Sequence, residues 1–141
     1  MDRVSSEKRS NNMRRIRSKN TKPEMVVRRL VFNMGYRFRL HDNKLPGKPD
    51  MVFASRKKIV FIHGCFWHHH LDPSCKISRL PKSRTDYWIP KIQRNVSRDE
   101  EIIESLNMLG WSTLVIWECE LGNMDILKLK LSQFLQTDTN D

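Results

Sequence analysis

Residues 59–75 read IVFIHGCFWHHHLDPSC, and the reading of this stretch decides the fold. Ile59, Val60, Phe61 and Ile62 are β-branched or aromatic, which predicts a short buried strand. That strand empties into two of the three cysteines and four of the five histidines of the chain, all lying between His63 and Cys75. Imidazoles and thiols carry donors and acceptors that need partners when buried. So dense a cluster at a strand end is read as a site for metal binding or proton transfer rather than as ordinary core.

Working outward, Asp50 opens a preceding strand at residues 51–54, and the polar reversal at 55–58 makes the two strands a hairpin. In an antiparallel pair the start of one strand lies beside the end of the other, so Asp50 and His63 are expected to be neighbours. Upstream, the alternation of Tyr36, Arg37, Phe38, Arg39, Leu40 and His41 predicts a strand with one apolar and one basic face, followed by a turn-rich connection at 42–49. Thr21-Lys22-Pro23-Glu24 has the order of a capping box, which starts a helix and gives Glu24 the reciprocal place in the box. Val27, Leu30, Val31 and Met34 form its packing face, and Gly35 stops it.

Downstream, Thr85 or Asp86 is expected to cap a long helix with Pro90 in its first turn. Trp88, Ile92, Val96, Ile103 and Leu106 make its apolar stripe, and Asp99 falls on the side of Ile92 and Val96. That position leaves open a functional or buried-network role for Asp99 beside a surface ion pair. Residues 112–117 are nearly all apolar, as suits the centre of a sheet covered on both faces, and residues 124–136 form a last amphipathic helix. The chain is read as α/β, with one domain at 21–136 behind a basic arm at 1–20 and a polar tail at 137–141.

The 26 basic and 16 acidic residues leave a formal charge of +10. A surplus of this size suits a surface that neutralises phosphates. Residues 1–20 carry seven Lys or Arg against two acids, half of the excess, so the arm is expected to meet part of the partner's charge. The chain contains neither an apolar run of membrane-spanning length nor the apolar core of a secretory signal, and a soluble cytoplasmic protein is expected.

An odd number of cysteines argues against a closed disulfide framework. Cys65, Cys75 and Cys119 with one of His68, His69 or His70 make a Cys3His set for zinc, and spacing alone does not choose the histidine. Asp50 with a remaining histidine fits metal-assisted phosphodiester hydrolysis, a carboxylate holding Mg2+ on the phosphate while an imidazole takes a proton from water. Phe66, Trp67 and Trp88 lie among ligands and basic residues, where aromatics serve as stacking platforms or wedges between bases. A non-catalytic zinc-containing DNA-binding module and a restriction endonuclease acting on paired DNA are the alternatives.

LPGKPD at 45–50, HGCFWHHH at 63–70, KSRTDYW at 82–88, KIQRNVSRD at 91–99 and LGWSTLVIWEC at 109–119, in this order, resemble the very-short-patch repair endonucleases, the Vsr family. The resemblance implies a restriction-endonuclease-like central mixed sheet flanked by helices, with one structural zinc. It implies a strand nick 5′ to the thymine of a T:G mismatch, which counteracts deamination of 5-methylcytosine. Asp50 and the main-chain carbonyl of Ile62 match the Mg2+ site, where two Mg2+ ions act. His68 matches the general base, and His63, Glu24 and Asp99 match supporting polar residues. Cys65, His70, Cys75 and Cys119 match the Zn2+ ligands. Phe66, Trp67 and Trp88 match the aromatics that wedge beside the mismatch, and Met13 matches an arm residue that approaches from the opposite groove. A monomer acting on double-stranded DNA in a bacterial cytoplasm is implied as well. Two features depart from the family pattern. Ile62 stands where a family member has threonine, and the spacer at 71–74 is longer, which leaves Asp72 as the alternative to Cys75 for the fourth ligand.

Overall fold

A computed structural model of the chain describes residues 21–70, 75 and 84–137, so the arm with Met13, Asp72 and the last four residues lie outside the described set. Thr21 caps the first helix, α1 (Lys22–Asn33), its side chain accepting the Glu24 N–H at 3.4 Å, with proline in the first turn. Val27 and Val31 are fully buried on its inner face. The expected reciprocal role of Glu24 in the capping box is not where its carboxylate is directed. One oxygen receives the Arg28 guanidinium at 2.6 Å and the other meets His41 at 2.8 Å.

Four strands follow the order β1-β2-β3-β4. They are β1 (Arg39–Leu40), β2 (Met51–Phe53), β3 (Lys58–His63) and β4 (Ser112–Trp117). The first two pairings are antiparallel and the last is parallel. The strand expected at 36–41 shrinks to two exposed residues. His41 takes a left-handed φ of 47°, which ends the ladder, while Tyr36 and Phe38 pack their rings around Phe53 instead. Ala54 leaves β2 for a 3-10 turn, Ala54–Arg56, and Lys57 at φ 58° completes the reversal.

β4 is expected at the centre of the sheet, but the inner places belong to β2 and β3, and among the described strands β4 lies at one edge. Its apolar composition has another cause, since both its faces are covered. Leu114 and Ile116 join the cluster under α1 and α3 (Met124–Gln136), and Val115 joins the cluster under α2 (Thr85–Met108). The same period of two sorts every strand. Met51, Phe53 and Val60 face α1 and α3 together with Leu127, Leu131 and Leu135, whereas Val52, Ile59 and Phe61 face α2 at Leu106. The result is three layers with the sheet in the middle.

α2 begins earlier than expected. Arg84, at φ 57°, precedes the first helical residue Thr85, and its carbonyl accepts the N–H groups of Tyr87 and Trp88 at 3.0 and 3.2 Å. Neither Thr85 nor Asp86 is the cap, and Pro90 therefore lies inside the helix, where it removes an intrahelical donor. α3 starts at Asn123, whose side chain accepts the Ile126 N–H. Its carboxyl end receives two cations from the β2–β3 reversal. Buried Lys58 reaches the carbonyls of Phe134 and Thr137, and Arg56 reaches that of Leu135. No described helix is long and apolar enough to cross a membrane.

Candidate active site and metal cluster

The sheet's alternation places the site. Residues 50 and 52 share one face of β2 and its approach, and residues 59, 61 and 63 share the same face of β3, so Asp50 and His63 both open toward α2. The antiparallel register pairs Met51 with Val60, and Asp50 then accepts the Ile62 N–H at 2.7 Å, as the hairpin reading expects. A cleft of about 570 Å³ forms there, with Asp50, His63 and His68 on one side and Asn95, Arg98 and Asp99 of α2 on the other.

Burial pushes the Asp50 carboxyl up to about 8, reinforced by a hydrogen bond to and the charge of the Glu24 carboxyl, against the lowering effect of the Ile62 N–H and Arg28. Two carboxyls in contact, with His41 beside them and all three within 4.8 Å of one another, form a group that a divalent cation would relieve. The chemistry of this donor set suits a hard cation held through Asp50.

Facing it, His68 Nδ1 lies 2.5 Å from Asp99 Oδ2. The carboxylate fixes the imidazole with its proton on Nδ1 and leaves Nε2 able to accept one. Asp99 is thus not a solvated surface acid. His63 stacks on His68 with ring centres 3.9 Å apart. Burial, then the neighbouring His68, lowers the His63 imidazole to about 4, so it is neutral at physiological pH.

Cys65, His70, Cys75 and Cys119 come together behind this cleft, their ligand atoms all within 4.8 Å. His70 Nδ1 is 3.8 Å from Cys65 Sγ and 3.3 Å from Cys119 Sγ. Ligands around tetrahedral zinc stand about 3.6 Å apart, so the set fits that ion. The backbone N–H of Cys119 also points at Cys65 Sγ, at 3.4 Å, which suits a thiolate. Burial pushes the Cys65 thiol up to about 12 and raises that of Cys119 as well. Among the four histidines of the stretch it is His70 that enters this group.

Phe66, Trp67 and Trp88 form one cluster, with ring centres 5.1 to 5.6 Å apart. Trp67 is 42% exposed, which a core role would not leave. Asn95 of α2 donates to the Trp67 carbonyl at 3.1 Å and ties this cluster to the cleft. His41 and Arg28 were missed as site residues. Arg28 stands four residues beyond Glu24, a helical pairing visible in the sequence, whereas His41 was hidden as the last member of an alternating basic run.

The sequence profile described as DNA mismatch endonuclease Vsr matches residues 1–75. The chain is 50% identical over 134 residues to the type II nicking enzyme V.XorIIP of Xanthomonas oryzae pv. oryzae, covering 95% of this chain and 96% of that one. It is 43% identical over 135 residues to the type II nicking enzyme V.NmeAIP of Neisseria meningitidis, covering 96% and 94% of the two. Against the DNA mismatch endonuclease Vsr of Escherichia coli the identity is 43% over 119 residues, 84% of this chain and 74% of that one. With the profile and relatives of nearly full length in agreement, the chain belongs to the Vsr family of DNA mismatch endonucleases and is an endodeoxyribonuclease.

Proposed function

We propose that the protein nicks one strand of double-stranded DNA 5′ to the thymine of a T:G mismatch, as a monomer in the bacterial cytoplasm, on a restriction-endonuclease-like scaffold. The observation that carries this reading is the His68–Asp99 bond across the cleft from Asp50. Asp50 and the Ile62 carbonyl would hold Mg2+, two ions in all, and when bound they would supply positive charge for the scissile phosphate and the leaving 3′-oxygen. His68 Nε2 takes the proton from the attacking water, and Asp99 steadies the imidazolium that results. His63, neutral and stacked on His68, holds that ring in place. Glu24 braces Asp50 and is itself held by Arg28.

Cys65, His70, Cys75 and Cys119 would hold one structural Zn2+, with Cys75 rather than Asp72 as the fourth ligand, a choice the clustering of the three thiols supports. Phe66, Trp67 and Trp88 are the wedge that unstacks the duplex beside the mismatch, and their half-exposed cluster next to the cleft supports this. The basic arm with Met13 approaches from the other groove.

Labelled duplexes, matched and T:G-mismatched, incubated with and without Mg2+, test the proposal. A nick confined to the mismatched thymine strand and dependent on Mg2+ is expected, and cutting of the matched duplex would favour restriction-type cleavage. Asp50→Ala and His68→Ala should each lower the nicking rate about 100-fold or more. A wild-type rate in either variant refutes the assigned roles.

A further inference from the structure

The buried Nδ1 of the His63 side chain has no hydrogen-bond partner among the described residues. A buried imidazole without a polar anchor is positioned by what its faces and edges touch. Three rings surround it. Phe61 lies 5.8 Å away, His68 is stacked at 3.9 Å, and Trp117 makes a T-shaped contact at 5.2 Å and 77°. Trp117 in turn is stacked on His70, centres 4.3 Å apart and planes 12° from parallel. A continuous column of rings thus runs His68, His63, Trp117, His70. It joins the imidazole bonded to Asp99 in the cleft to the imidazole gathered with the cysteines.

The column rests on a firm base. The parallel register sets His63 opposite Trp117 at the ends of β3 and β4. The Trp117 N–H donates to Glu120 at 3.0 Å, and Lys130 of α3 holds that carboxylate through both oxygens at 3.0 and 2.8 Å. The strand end carrying Trp117 is therefore pinned to α3 as well as to the loop that carries His68 and His70.

We propose that Trp117 is a positioning residue for strand cleavage, setting the His63–His68 ring pair against the metal loop from its place in this column. The inference rests on the reading of His68 as the group that accepts the proton. Trp117 touches no reacting atom, so its loss should misplace His68 without weakening the hold on DNA.

The experiment compares zinc-loaded wild-type protein with Trp117→Phe, which keeps an aromatic face, and Trp117→Met, which fills space without one. Zinc content, kcat and KM on a T:G duplex, and the NMR ring-proton signals of His63 and His68 are measured. Trp117→Met is expected to keep one zinc, lose about 10-fold or more in kcat, hold KM within about twofold, and displace the His63 signals. Trp117→Phe should recover most of the rate and of the signal positions. Full zinc with kcat within twofold of wild type in Trp117→Met overturns the proposal, and so does a loss that appears in zinc content and KM together. If Trp117→Met does not fold, Trp117→Leu takes its place, and a zinc-loaded Trp117→Leu protein with wild-type kcat and unmoved His63 and His68 signals also overturns the proposal. The NMR readout separates this failure from failure of the cleavage reading. Displaced signals with unchanged kcat would show that the column positions rings that do not limit the reaction, and the proposal for Trp117 would fall.

Discussion

Asp50 carries the sharpest conflict in the molecule. Its carboxyl lies buried against Glu24 and is raised to about 8, while in the unfolded chain it titrates near 3.8. Between these values the folded state keeps a proton that the unfolded state releases, so stability falls as pH rises through that window. Asp50→Asn removes the titration and keeps an oxygen for the Ile62 N–H. Without divalent cations, the variant should match wild type near pH 4 and exceed it near pH 8, by on the order of a few kcal/mol. Thermal unfolding across pH would show this, and added Mg2+ should raise wild type alone. Parallel pH curves for the two proteins would rule the account out. Activity and stability are then opposed at one side chain, a common condition of sites built for a missing charge.

At the scale of elements, the 42–49 connection is locked against α2 at one point. Gly47 has φ +77°, and a Cβ there would run into the side chain of Ile102. Gly35, also left-handed at φ +96°, has nothing near it. Gly35→Ala should therefore cost about 1 kcal/mol from backbone conformation alone, and Gly47→Ala about 2–3 kcal/mol through overpacking as well. Denaturant titration of both variants checks the order, and Ile102→Ala should relieve part of the Gly47→Ala loss. Elements of this kind were legible to different depths. The capped start of α1, the β2–β3 hairpin and the bounds of β4 and α3 follow from local signals, namely the Thr21 cap, alternation and apolar runs. The start of α2 was not legible, because Arg84 in a left-handed conformation is not a signal that composition provides. Nor was the edge position of β4, since an apolar strand reports that its faces are covered and says nothing of which strands flank it. For the candidate site, the strand ends put Asp50 beside His63 and the cysteine count suggested the three thiols, while the choice among the histidines came from the family resemblance, and Trp117 and His41 join through tertiary contacts that no local pattern encodes.

For the whole molecule the cysteine cluster is a tie between distant parts of the chain, Cys65 and Cys119 lying 54 residues apart. In a chain of this size a four-ligand metal site contributes directly to folding. Cys65→Ser should lose about one equivalent of zinc and lower the Tm by roughly 10 °C, read by metal analysis and calorimetry. Retention of zinc at full occupancy with an unchanged Tm would exclude that role. The parallel pairing of β3 with β4 has a consequence in time. The hairpin that holds Asp50 forms from neighbours in sequence, but the strand bearing Trp117 must return across the whole of α2 before it can pair with β3. A chain emerging from the ribosome therefore carries Asp50 and His63 on their hairpin before α2 and β4 are there to complete the site. On the roles proposed for these residues, the cleavage site is complete only once synthesis has passed Cys119.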